Sequence, residues 1–344
     1  MIDLRSDTAT RPTAGMRAAI AAAVVGDEQK REDPTVNELE ERAARLLGQD
    51  EAIFLPTATM ANQIALRLHT ELGDELLGEE NCHVFISELG GPAVHSGVVT
   101  RGLPGVAGRF GAEQVRAAYR VPAIHSPRTR VLWIENTHNA SGGRIWPLEE
   151  IGELHALALE LDLRFHLDGA RLLNAAVATG VDAAEIGGRF DTVALCLSKG
   201  LGCPLGAILA GQSEVMGNAR RLKHLFGGAM RQAGIVAAAG VYALDHHVDR
   251  LADDHRRAKR LALGLAEAGL AVDPDKTETN FVQLDVAPLT KGDAMALLAD
   301  QGVGLSATIH PTVLRAVTHL DVTDEDIDGA LVAIPRALGA RVSA

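Results

Sequence analysis

Between Arg130 and Gly211 the chain alternates β-rich runs with helical ones, and that alternation is its strongest constraint. RVLWIEN (Arg130–Asn136) gives way to PLEEIGELHALALELD, then to LRFHLD (Leu163–Asp168), a helical stretch around ARLLNAAVATG, and DTVALCLS (Asp191–Ser198). Strands separated by helices of this length imply a parallel, doubly wound sheet covered on both faces. Upstream, EAIFL (Glu51–Leu55) reads as a strand before the helix MANQIALRLHTEL, and His83–Ile86 reads as a further strand. LGAILAG follows DTVALCLS with no room for a crossover helix, so that pair is expected to be antiparallel.

From about Val248 the pattern changes. A charged helical run (DRLADDHRRAKRLALGLAEAG) precedes a strand-like NFVQLDV, a helix DAMALLADQG and a last helix opened by Thr323 and Asp326 as a capping box. At 344 residues the chain is long for one core. The expected division is a large domain over 14–247 and a smaller α+β domain built from 1–13 and 248–344.

Composition narrows the class of partner. The formal net charge of −12 argues against nucleic acid or an anionic membrane. No apolar run is long enough to span a bilayer, and MIDLRSDTATRPT lacks the pattern of a secretory signal. Three cysteines (Cys82, Cys196, Cys203) are too few for a disulfide framework. The expectation is a cytoplasmic protein acting on a small molecule.

Lys199 then stands out, because only six lysines occur and this one follows an apolar strand and precedes a glycine cluster. The cluster Gly200, Gly202, Gly206 misses the dinucleotide fingerprint, and a Walker loop would need its glycines before the lysine. Asp168 ends the preceding strand. In a parallel sheet the carboxyl ends of strands line the ligand crevice, so the two side chains can face one planar cofactor. Pyridoxal phosphate uses such a pair, a lysine for the Schiff base and an aspartate for the pyridine nitrogen. A surface lysine and a helix-capping aspartate are the plainer alternatives. Thr57, Ala58 and Thr59, where a helix starts after a strand, could cradle the phosphate; Thr57 reads equally well as an N-cap. None of the histidines shows zinc-site spacing, so no metal is expected.

Eight ordered blocks carry a resemblance along nearly the whole chain: DLRSDTAT-RPT, EDPTVNELE, FLPTATMAN, ENTHN, HLDGARLLNA, CLSKGLGCPLG, GGAMRQAGI and LRAVTHLDVT. They resemble the low-specificity L-threonine aldolases, fold-type I enzymes that depend on pyridoxal 5'-phosphate. The resemblance implies that Lys199 carries the cofactor and Asp168 pairs with its ring nitrogen. It implies that His83 stacks on the ring and that Ala58 and Thr59 meet the phosphate. Arg231 would reach the phosphate of a neighbouring subunit. Ser6, Arg171 and Arg315 would hold the substrate carboxylate, and His125 would stand near the β-hydroxyl. The activity implied is cleavage of L-threonine or L-allo-threonine to glycine and an aldehyde, in a homo-oligomer, a tetramer by resemblance, with residues of two subunits at each site.

The chain also departs from that family. EQKRED places Lys30 and Arg31 where a tyrosine and a glycine are usual, and Ala58 and Ala229 stand where glycine is common. The first departure motivates a second enzyme reading, β-elimination from a related amino acid. A cofactor-binding protein without catalysis is the reading from outside enzymology; the retained Lys199, Asp168, His83, Arg171 and Arg315 speak against it.

Overall fold

The computed structural model describes residues 1–339 and 341–342. In chain order its strands are β1 (Ile2–Asp3), β2 (Glu51–Leu55), β3 (Glu75–Glu79), β4 (Val99–Leu103), β5 (Thr129–Glu135), β6 (Arg164–Asp168), β7 (Thr192–Cys196), β8 (Ala207–Gly211), β9 (Phe281–Asp285), β10 (Val303–Gly304), β11 (Ser306–Ala307) and β12 (Val313–Val317). Seven of them form the central sheet in the order β2-β8-β7-β6-β5-β3-β4. β4, β3, β5, β6 and β7 run parallel. β8 is antiparallel to both β7 and β2, as the short link after DTVALCLS requires. β7 and β8 are buried at every position, which is why both read as unbroken apolar runs.

Two strands and one turn differ from the sequence expectation. β3 (ELLGE) is wholly buried, yet an acid at each end disguises it. Glu75 is met by Arg120 at 3.0 Å and Glu79 by His138 at 3.1 Å, so both carboxylates are compensated inside the fold. β4 is an exposed edge strand with too little apolar content to be read. His83–Ile86, expected as a strand, is one helical turn. Its first N–H is taken by the Glu135 carboxylate at 2.6 Å, which caps the turn from the end of β5.

A second apolar cluster gathers Leu4, Val282, Leu284, Leu314 and Ala316 with the helices Leu251–Glu267, Lys291–Asp300 and Asp324–Leu338. Thr323 and Asp326 close the last helix's N-terminus as the expected capping box. β9, β12 and β11 form an antiparallel sheet there, and β1 pairs with β10. The first residues are thus tied to this cluster before the chain passes to the crevice. No helix among the described residues is long and apolar enough to cross a membrane.

Candidate active site

The parallel register sets Glu135 beside Asp168 and Asp168 beside Ala194, at the carboxyl ends of β5, β6 and β7. Lys199 follows β7 in the glycine-rich turn. Gly202 (φ 74) and Gly206 (φ 115) take left-handed backbone, and a Cβ on Gly206 would lie 2.7 Å from the Phe54 ring. The cluster is therefore a tight turn pressed on the core. The Thr10 hydroxyl donates to the Lys199 carbonyl at 2.8 Å, fixing the lysine's backbone from the N-terminal segment.

One cavity of about 180 Å³ gathers eight of the expected side chains: Ser6, Ala58, Thr59, His83, Asp168, Arg171, Lys199 and Arg315. Three expected residues stand outside its lining. Thr57 accepts the Met60 N–H at 3.1 Å and so caps the helix Ala58–His69, whose first turn faces the cavity. His125 sits on an exposed turn bridged by Ala123 and Ser126. Arg231 is exposed and pairs with Asp27 at 3.3 Å.

Inside, two networks meet. Asp168 is almost wholly buried, its Oδ1 accepting the Ala170 N–H at 3.1 Å and its Oδ2 an Asn62 amide proton at 2.9 Å. Asn62 donates again to Glu88 Oε1 at 2.8 Å, and Glu88 Oε2 accepts from Gln63 at 2.6 Å. His83 Nδ1 lies 2.9 Å from Glu88 Oε1. That bond pushes the imidazole above its usual pKa; burial opposes the rise, and the carboxylate of Asp168 adds to it. Donor atoms of His83, Glu88 and Asp168 lie within 4.8 Å of one another, as metal ligands could. The Asn62 amide donates to both carboxylates, bridging them as a cation otherwise would.

The second network handles positive charge. Arg171 gives Nε and Nη2 to Asp7 at 2.7 Å each. Burial would push the Asp7 carboxyl up, but the Arg171 guanidinium holds it at about 2. Asn139 Oδ1 accepts from Arg171 at 3.3 Å and from Arg315 at 2.9 Å. Both guanidinium groups lie over the Phe281 ring, at 4.8 and 5.1 Å. Arg315 Nε is buried with no partner among the described residues, and burial, with the like charge of Arg171, pulls this side chain down to about 10. The Arg315 side chain also lines the cavity, where a guanidinium can meet a carboxylate.

Asp7, Asn62, Glu88, Glu135 and Asn139 were not singled out in the sequence. Asn62 and Gln63 carried a signal, as two amides inside the otherwise apolar ANQIAL. Asp7 carried none, because its partner lies 164 residues away.

Comparison with known proteins places this geometry. A family model described as beta-eliminating lyase matches residues 3–287. The low specificity L-threonine aldolase of Escherichia coli K12 is 40% identical over 328 residues, spanning 95% of this chain and 96% of that protein. Low-specificity L-threonine aldolase 1 of Arabidopsis thaliana is 35% identical, over 98% and 96% of the two chains. Among solved structures, the Leishmania major threonine aldolase superposes with a TM-score of 0.84 at 19% identity, covering 98% of this chain and 99% of that one. SPT with its PLP internal aldimine superposes at 0.75 and 17% identity, covering 98% and 87%. The mostly parallel seven-stranded sheet with its helices has the fold-type I architecture of pyridoxal-phosphate enzymes. Within it, the chain belongs to the beta-eliminating lyase family, among the low-specificity L-threonine aldolases.

Proposed function

We propose that the protein cleaves L-threonine, L-allo-threonine and related β-hydroxy-α-amino acids to glycine and an aldehyde, with pyridoxal 5'-phosphate as cofactor. The observation that carries the reading is the convergence of Lys199, Asp168, a helix N-terminus and Arg315 in one cavity.

The residues present fit the cofactor. Lys199 offers the amine that anchors it, and Asp168 a buried carboxylate for its ring nitrogen. Ala58 and Thr59 offer the first turn of a helix, where backbone N–H groups and the helix dipole favour a phosphate. His83 supplies the ring beside it. When bound, pyridoxal phosphate supplies the electron sink for the pair released at Cα.

This chain's own side chains do the rest. Arg315 and Ser6 hold the substrate carboxylate, with Arg171 contributing its remaining edge; this fixes rotation about Cα so that the Cα–Cβ bond can face the sink. Cleavage also needs a group to take the β-hydroxyl proton. His83 and, from a neighbouring copy, His125 are the two imidazoles this reading supplies. Arg231 acts from the neighbour as well, at the phosphate. Exposed Leu72, Val94 and Leu225 on the side of the capped helix support burial by that copy, and a homotetramer is the assembly we propose. Three buried free cysteines suit a reducing compartment, the cytoplasm.

β-Elimination is the second reading. One observation favours it: the family model that matches residues 3–287 is described as beta-eliminating lyase. Product analysis separates the two. Purified protein loaded with cofactor is offered L-threonine, L-allo-threonine, L-phenylserine and their D-forms. Glycine and aldehyde in equal amounts from the L-forms support the aldolase; ammonia with a keto acid, and no aldehyde, would replace it with the lyase.

A further inference from the structure

His83 is held more firmly than ring stacking requires, and the side chain that holds it has no role in the chemistry described so far. Glu88 is fully buried in its side chain, at the cavity wall, while the His83 side chain is one-third exposed. Among the described residues, the three side chains that hydrogen-bond its carboxylate approach with nitrogen: Asn62 Nδ2 and His83 Nδ1 at Oε1, and Gln63 Nε2 at Oε2. Turning either amide over would set a carbonyl oxygen against a carboxylate, so the network itself determines their orientation. A proton on Glu88 would point at a donor. The carboxylate can therefore only accept, and His83 Nδ1 must carry the hydrogen between them. That leaves Nε2 as the nitrogen able to gain or lose a proton.

The backbone around Glu88 is shaped for this placement. Leu89 takes a left-handed φ of 54, which non-glycine residues seldom adopt, and Gly90 follows at φ 74. A Cβ on Gly91 would lie 2.8 Å from the Gln63 side chain, so a larger residue there would push that amide from its place beside Glu88. Asn62 uses its second amide proton on Asp168 at 2.9 Å, which joins the two carboxylates through one rigid group.

We infer that Glu88 is the positioning residue that sets the tautomer and proton affinity of His83, and that Asn62 ties this dyad to Asp168. The proposal rests on the aldolase reading only for the use to which His83 is put. The charged groups around the imidazole are Glu88, Asp168 and Glu135 on the acidic side, with Lys199, Arg171 and Arg315 lining the same cavity. The raised pKa of His83 has its largest cause in the Glu88 bond, in keeping with the geometry.

The test is a nitrogen-detected NMR titration of the histidine rings in the cofactor-free protein, which needs no turnover. His83 should show a protonated Nδ1 throughout, with Nε2 alone titrating. In Glu88→Gln its inflection should fall by about one pH unit or more, the effect of removing an opposite charge at hydrogen-bond distance. A bare Nδ1 in the wild-type protein overturns the proposal whether or not the variant folds. So does an unmoved inflection in a folded Glu88→Gln. In the loaded enzyme the His83 inflection of the kcat profile should move to lower pH in the variant, with KM for L-threonine altered less than about two-fold. A fall in kcat with no movement of the inflection would mark Glu88 as structural only. Should the protein fail to cleave threonine while the titration behaves as stated, the proposed function fails and this inference stands.

Discussion

Arg171 donates two parallel hydrogen bonds to Asp7, each 2.7 Å long, and both side chains are buried. The pair joins the N-terminal segment to the residue that precedes the helix Leu172–Thr179 after β6. It also gives the two arginines different roles, since Arg171 has its fork engaged and Arg315 does not.

Asp7→Asn should therefore behave as a stability variant. It leaves the Arg171 charge buried and uncompensated, which costs about 3–5 kcal/mol. A urea unfolding curve should show that loss. A midpoint within error of wild type would mean that solvent reaches Arg171.

Arg315→Lys should leave folding nearly unchanged while raising KM for the amino acid at least ten-fold, because an ammonium cannot reproduce a guanidinium fork. If KM is unchanged, Arg171 is the carboxylate's main partner, and the two arginines do not divide their roles in this way.

Thr57 and Thr59 should also separate. Thr57 caps its helix, so Thr57→Ala should cost about 1 kcal/mol in stability. Thr59 makes no cap bond and lines the cavity. Thr59→Ala should keep the unfolding midpoint and weaken cofactor binding roughly ten-fold, as loss of a hydrogen bond to a charged group implies. Equal effects of the two substitutions on cofactor affinity would show that Thr57 also contacts the phosphate.

A third pair governs acid stability. His69 Nε2 and His166 Nδ1 both meet the Thr192 hydroxyl, at 2.8 and 2.7 Å. One hydroxyl can donate to one ring and accept from the other, which suits two neutral imidazoles. Burial lowers His69 to about 4 and takes His166 well below the ordinary histidine value. The unfolded chain binds these protons first, so their contribution is complete above about pH 6.5 and is lost as pH falls toward 4. For His69 the loss is on the order of 3 kcal/mol at most. His83 and His138 are shifted the other way, so the sign must be read by difference. His69→Asn should flatten the stability curve between about pH 6.5 and 5, where carboxylates scarcely titrate. An unchanged slope in that window contradicts the assignment.

The legible part of this molecule is its middle. Asp168 closes one apolar strand and Lys199 follows the next by a short turn, and β-α-β spacing sets such strands side by side, so the placement of the pair can be read from the chain alone. The direction of β8 follows from the length of one turn. What stays hidden is hidden by charge or by distance in the chain. β3 carries Glu75 and Glu79 at its ends, and only a fold that brings Arg120 and His138 to them lets it lie in a core. The Asp7–Arg171 pair and the Glu88–Asn62–Asp168 relay depend on tertiary closure, which no local pattern reports. His83–Ile86 looks like a strand because HVFI suits one; the capping Glu135 that makes it a helical turn belongs to another element.

Everything proposed for the cavity depends on its being built around the amine of Lys199. Borohydride reduction of the protein loaded with pyridoxal phosphate, followed by mass mapping of its peptides, addresses that dependence without an assumption about substrate. The reduced pyridoxyl group should appear on the peptide containing Lys199, and neither that group nor visible absorbance should survive in Lys199→Ala. Label on Lys223, the buried amine paired with Glu28, or on no lysine at all, would contradict it.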